Sequence, residues 1–240
     1  MMPVDAAATV VIEPMGDATV LIRLGNRVDL ATHRRVHALA TALQAQRPDW
    51  LRELTPAYAS LALHVDPARL PSDDPLTSAQ RWLREWLAHA RLDAEPQASA
   101  VVEIPVLYGG AGGPDLPAIA ARAGISQSEC CALHCHGDYT VAMLGFAPGF
   151  PYLLGLDPRL HAPRHATPRA RVAAGSIGIG GGQTGIYPFA GPGGWQLIGR
   201  TPRRLFDAGR DPPSLLRPGD QVRFVAIDAK RFAALDEHSR

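Results

Sequence analysis

The chain has 240 residues, 46% hydrophobic and 20% charged, with a formal net charge of +1. That composition suits one large or two small globular domains and excludes disorder, collagen and coiled coil. No run approaches the roughly 18–20 uninterrupted apolar residues of a membrane helix. Asp5 and Glu13 break the N-terminal apolar run, and no basic segment precedes it, so no secretory signal is expected and the protein is placed in the cytoplasm.

Residues 9–13 and 18–24 are predicted strands, parted by the turn Met15-Gly16-Asp17. A helix is predicted over 28–46, capped by Asn26 or Asp29 and ended by Pro48. Strands follow at 50–54 and 59–65, where Leu61, Leu63 and Val65 alternate with smaller or polar residues. A second helix over 77–89 carries Trp82, Leu83, Trp86 and Leu87 on its apolar side. This order predicts a small α+β layer, a sheet with two helices on one face. Residues 93–99 form the expected linker, which divides the chain into domains 1–95 and 96–240.

The second domain opens with a predicted strand at 101–107, whose Pro105 assigns it to an edge or a bulge. A flexible glycine loop at 109–114 and short helices at 115–123 and 126–136 come next. Predicted strands are then short (139–145, 176–179, 195–199, 221–227), and 15 of the 23 glycines lie in 139–227. That pattern predicts a closed or nearly closed β-barrel with elaborate loops, so the fold class is α+β.

Residues 139–227 hold ten Arg, four Asp and no Lys or Glu, a net of +6 against −5 for the rest. Positive charge beside glycine-rich loops suits a small anionic ligand. With no dense basic run, it does not suit duplex nucleic acid. Cys130, Cys131 and Cys135 are too few and too close for a disulfide framework. On a helix Cys131, His134 and Cys135 share a face, which invites a metal reading. Structural zinc takes four ligands, usually from two separated pairs, so ordinary buried thiols are the preferred reading and no metal site is expected. His134 reads either as a general acid or base near Tyr139 or as a structural histidine at a helix end.

Four segments carry the chemistry: GFAPGFPYL at 145–153, the pairs Pro163-Arg164 and Pro168-Arg169, the run 175–188, and the run 191–202. Arg164, Arg169 and Arg200 can make charge-assisted bonds to carboxylate or phosphate. Gln183 offers both a donor and an acceptor, as an amide-like substrate requires. Phe150, Tyr152, Tyr187 and Trp195 would supply flat apolar walls. Consecutive glycine N–H groups can form an anion-binding nest. The plain alternatives are barrel turns for the glycines, solvated charge for the arginines and core packing for Trp195. No GxxxxGK[ST], GxSxG or HExxH string occurs.

The strings GFxPGFPYL, PRxxxPR, AGSIGIxGxQTGIYP and PGGWxLIGRTP are long and specific. With Thr55-Pro56-Ala57-Tyr58, Glu103-Ile104-Pro105-Val106 and Gly113-Pro114-Asp115-Leu116, they make the chain resemble the family of the 5-oxoprolinase B subunit, also called kinase inhibitor KipI or allophanate hydrolase subunit 1. One departure is the run Gly180-Gly181-Gly182 before Gln183. The resemblance implies an N-terminal α+β domain followed by a cyclophilin-like β-barrel. It implies two partners, the C and A subunits of 5-oxoprolinase, the former of the allophanate hydrolase subunit 2 type. It also implies the ATP-dependent hydrolysis of 5-oxo-L-proline to L-glutamate, with ATP and Mg used in the complex and this chain inactive alone. The alternatives it carries are an inhibitor of a sensor histidine kinase and a carboxyltransferase subunit of a biotin-dependent urea carboxylase system.

Within that resemblance, Arg164, Arg169 and Arg200 would orient anionic groups and Gln183 would contact the lactam. Gly193 and Gly194 would give backbone N–H donors and Ser176 a hydrogen bond, while Phe150, Tyr152, Tyr187 and Trp195 would line the substrate pocket. All of this expects the arginines and the Gly193-Gly194 turn to converge on one cleft.

Overall fold

The computed structural model describes residues 10–70, 72–90 and 101–237. The chain divides into two compact units, Met1–Ala98 and Ser99–Arg240. The linker expected at 93–99 and the expected boundary after residue 95 lie outside the described residues. Among the described residues no helix is long and apolar enough to cross a membrane.

The first unit runs β1 (Val11–Pro14), β2 (Thr19–Arg23), α1 (Leu30–Ala45), β3 (Leu51–Pro56), β4 (Ser60–Val65) and α2 (Pro75–His89). The strands form one antiparallel sheet in the order β1-β2-β4-β3. Period-2 alternation turns Val20 and Ile22 of β2 and Leu61, Leu63 and Val65 of β4 inward, where Val36, Leu39 and Leu43 of α1 and Leu83 of α2 complete one core. Asp29, rather than Asn26, caps α1, its carboxylate accepting from the Thr32 N–H at 2.8 Å. Pro75 opens α2 behind its cap Asp74, a position where the missing N–H costs nothing.

The second unit is built on β5 (Val101–Tyr108), α3 (Leu116–Ala123), α4 (Gln127–Cys135), β6 (Tyr139–Leu144), β7 (Pro151–Leu154) and β8 (Arg169–Val172). It continues through β9 (Ser176–Gly180), β10 (Gln183–Ile186), β11 (Gly191–Gly193), β12 (Gln196–Arg200), β13 (Gln221–Ala226) and α5 (Ala229–Glu237). Seven strands close into a barrel in the order β10-β7-β6-β13-β5-β12-β9, while β8 and β11 pair separately. Ile104, Val106, Val141, Leu153, Ile177, Ile179, Ile198 and Phe224 belong to its core, each nearly or fully buried.

Pro105 corrects one expectation. Strand β5 is not an edge: it pairs parallel with β13 along six residues and antiparallel with β12. The β12 ladder reaches only Leu107 and Tyr108, so no rung there calls for the N–H that Pro105 lacks. The extra glycines before Gln183 also have a plain use. Gly180 pairs with Gln183, and Gly181-Gly182 is the two-residue turn of the β9–β10 hairpin.

Helix α4 starts with a reciprocal cap. Ser126 Oγ accepts from the Glu129 N–H at 3.2 Å, and the Glu129 carboxylate accepts from the Ser126 N–H at 2.9 Å. Ser126→Ala is expected to lower unfolding free energy by about 1 kcal/mol, and urea titration measures it.

Candidate functional site

The end of the barrel where β5 runs out carries a cleft of about 680 Å³. Its lining includes the glycine turn 109–112 together with Arg169, Arg171, Ser176, Arg200 and Phe232. Ladder register explains part of the assembly. Arg200 of β12 pairs with Ser176 of β9 and Leu107 of β5, so the three stand at one level. Arg169 and Arg171 are two apart on β8 and therefore point to the same side of that strand. Among the described residues none of those lining the cleft is acidic.

Arg169 is held by Asp115. Arg169 Nη2 donates to Asp115 Oδ1 at 2.7 Å, while Oδ2 accepts from the Leu197 N–H at 2.6 Å and faces His165 Nε2 at 3.2 Å. Asp115 sits at the N-cap of α3 but gives that helix no side-chain cap, because its carboxylate is committed to these partners. Burial pushes its pKa up, but the bonds from Arg169, Leu197 and His165 outweigh it, leaving the carboxyl below the ordinary value.

A second neighbourhood shares Arg169. Phe150, Tyr187 and Trp195 are nearly buried and pack with Val172, Leu197 and the half-buried Tyr152. Phe150 meets Tyr187 at 5.2 Å and Trp195 at 5.6 Å between ring centroids, both edge to face. The Arg164 guanidinium lies 5.6 Å from the centroid of the Trp195 ring. Burial raises the Tyr187 hydroxyl pKa, while the Trp195 N–H and the charges of Arg164 and Arg169 oppose that rise.

The expectation of one converging cleft is therefore corrected. Arg169, Ser176 and Arg200 line it, but Arg164 does not; its guanidinium lies over the Trp195 ring. Gly193 and Gly194 are also outside the lining. A Cβ on Gly193 would stand 2.6 Å from the Tyr187 hydroxyl, so its lack of a side chain makes room for that ring, and the Gly194 carbonyl accepts from the His165 N–H at 2.7 Å. Gln183 opens β10 at its hairpin tip, outside the cleft. Phe150, Tyr152, Tyr187 and Trp195 pack on one another and do not line the cleft. Asp115 and Arg171 were missed. Asp115 stood only at a helix start and in the Gly113–Leu116 string, and Arg171 was not singled out; only its spacing of two from Arg169 on a strand could have marked it.

Tyr108 joins the cleft to the barrel core. Its hydroxyl lies 2.7 Å from His134 Nδ1, and His134 Nε2 lies 3.1 Å from Thr184 Oγ1. Thr184 gives its hydroxyl hydrogen to the Gly178 carbonyl at 3.0 Å. The Thr184 oxygen must then accept, so the proton sits on Nε2 and Nδ1 accepts from Tyr108. His134 is fully buried, and desolvation lowers its pKa to about 3. Both ring nitrogens are therefore engaged, one with Tyr108 and the other with Thr184.

The arrangement is a carboxylate-braced guanidinium beside two further guanidiniums at the mouth of a barrel. The chain belongs to the family described as the carboxyltransferase domain, subdomain C and D, whose match covers residues 10–216. Among its relatives, a Bacillus subtilis chain named as the B subunit of 5-oxoprolinase is 44% identical over 95% of this chain and 97% of its own length. An Escherichia coli O157:H7 chain of the same name is 47% identical over 88% and 93%. A solved structure designated TTHA0988 superposes with a TM-score of 0.74 at 42% identity over 88% of this chain, which spans only 40% of that longer one.

Proposed function

We propose that this chain is the B subunit of an ATP-dependent 5-oxoprolinase, acting in the cytoplasm with the C and A subunits to hydrolyse 5-oxo-L-proline to L-glutamate and inactive alone. The observation that carries the reading is the likeness, over nearly the full length of both chains, to relatives of that name.

The chemistry is compatible. A lactam amide is resonance-stabilised and resists water. ATP, when bound, supplies the phosphoryl group that turns the carbonyl oxygen into a leaving group. The chain's own part is to bind and orient anionic groups through Arg169 and Arg200 and to hold Arg169 steady through Asp115. The cleft fits phosphoryl oxygens, with guanidiniums and, among the described residues, no acidic side chain in its lining. That donor set does not fit Mg, which binds carboxylate and water oxygens, so no step is assigned to a metal held by this chain.

The test is ATP-dependent glutamate release from 5-oxoproline by the three reconstituted subunits. Arg169→Gln is expected to lower kcat by at least about 100-fold, with subunit association unchanged. A folded, assembled complex without turnover would defeat the reading. The family's description favours a second reading, a carboxyltransferase subunit. Carboxyl transfer from a biotinylated carrier, in place of glutamate release, would establish it.

A further inference from the structure

We infer that Arg171 and Arg200 form a paired subsite for a phosphate-type oxyanion within the cleft, with Arg169 as its braced rim.

The three guanidiniums differ in how far the protein already occupies them. Arg169 gives Nη2 to Asp115 and approaches the Trp195 carbonyl with Nη1 at 3.5 Å, so its charge is largely met by a carboxylate. Among the described residues Arg200 gives only Nε, to the Ala174 carbonyl at 2.8 Å, and lies 5.6 Å from the centroid of the Phe232 ring. Those two contacts fix the guanidinium while both terminal nitrogens remain for a ligand. The Arg171 side chain, on strand β8, makes no hydrogen bond or ion pair among the described residues.

Two positive residues thus line one concavity in which no acidic side chain, among the described residues, answers them. Like charges held around a shared cleft repel, and an anion between them relieves that repulsion. Guanidinium forks match the oxygens of phosphate in pairs, so a doubly charged oxyanion gains more here than a single carboxylate does. The glycine turn 109–112 brings main chain, rather than bulky side chains, to the lining, and a Cβ on Gly112 would stand 3.1 Å from Arg200 Cβ. A cleft of about 680 Å³ exceeds one phosphate, so the oxyanion can be inorganic or the charged end of a phosphoester.

The purpose of the subsite rests on the proposed 5-oxoprolinase reading, but its occupancy is read on this chain alone. The experiment is isothermal titration calorimetry of the full chain with inorganic pyrophosphate, with 5-oxoproline as the monocarboxylate comparison. Saturable pyrophosphate binding is expected, at least tenfold tighter than binding of 5-oxoproline. Arg171→Gln and Arg200→Gln are each expected to weaken it by about tenfold or more, and the double variant by about 100-fold or more. Arg223→Gln removes an equal charge from β13, outside the cleft, and is expected to bind as the wild type does.

ADP identifies the source of the oxyanion. Tighter binding than pyrophosphate means a nucleotide carries the group, and equal binding means the oxyanion alone is gripped; either supports the subsite. Absence of saturable binding, no preference over 5-oxoproline, or an affinity unmoved in either arginine variant overturns it. Circular dichroism of each variant confirms that it is folded. A complex that turns over while the chain fails to bind pyrophosphate sinks the subsite and spares the 5-oxoprolinase reading; the reverse result does the opposite.

Discussion

Unfolding titrations across pH are expected to show the native state losing on the order of 4 kcal/mol between pH 6.5 and pH 3 through one side chain, His134. Its ring is fully buried, 4.4 Å from Phe224 between centroids, and takes its proton only near pH 3 when folded, against 6.5 as the ordinary value. Below pH 6.5 the unfolded chain binds a proton at this residue that the folded chain does not. Unfolding free energy therefore rises with pH through the window, by about 1.4 kcal/mol per pH unit at the most. The contribution is complete above pH 6.5 and is lost as the pH falls toward 3. His134→Gln removes the titration. The variant is expected to be less stable at neutral pH, because it disturbs the Tyr108 and Thr184 contacts, yet flatter by about one proton's slope. Parallel pH profiles for wild type and variant would show that burial does not hold His134 neutral.

The same residue shows what the sequence could and could not disclose. Its place on a helix among cysteines was legible, and so was its structural alternative. Its partners were not, since Thr184 is 50 positions away and meets it only when the barrel closes. Period and capping exposed α1, α2 and β4, because a half-buried element must alternate or repeat its apolar face. The strand β9, Ser-Ile-Gly-Ile-Gly, is buried at all five residues and shows no alternation of burial, although the sequence places a short strand at 176–179. Strands β7, β8, β10 and β11 have only three or four residues each and no amphipathic signal to read. For the cleft, glycine-rich strings pointed to Arg169, Ser176 and Arg200 but could not separate a guanidinium facing open space from one lying on a tryptophan. Arg164 and Arg169 stand in matching Pro-Arg pairs, and only the fold sends one to Trp195 and the other to Asp115.

The glycines of that same run divide sharply, and Gly175→Ala is expected to be among the most damaging single changes in the protein. Gly175 has φ +80°, and a Cβ there would stand 2.1 Å from the Thr201 carbonyl oxygen. The chain has little freedom to swing away. The Gly175 N–H donates to the Tyr187 carbonyl at 2.7 Å, and its own carbonyl accepts from the Thr201 N–H at 2.8 Å. Relief of the clash means breaking one of these bonds or displacing β9 from β12, and a loss above about 4 kcal/mol is expected. Gly181 supplies the control. It is also left-handed, at φ +66°, but a Cβ would meet nothing within 4 Å. Gly181→Ala therefore bears only the backbone cost, about 1–2 kcal/mol. Urea unfolding of both variants measures the contrast. A functional difference follows from position, since Gly175 lies between Ala174, which fixes Arg200, and Ser176 in the cleft wall. At temperatures where both variants remain folded, Gly175→Ala is expected to weaken pyrophosphate binding, and Gly181→Ala to leave it within about twofold. Equal stability losses in the two variants would mean that the Gly175–Thr201 approach is not what demands glycine at residue 175.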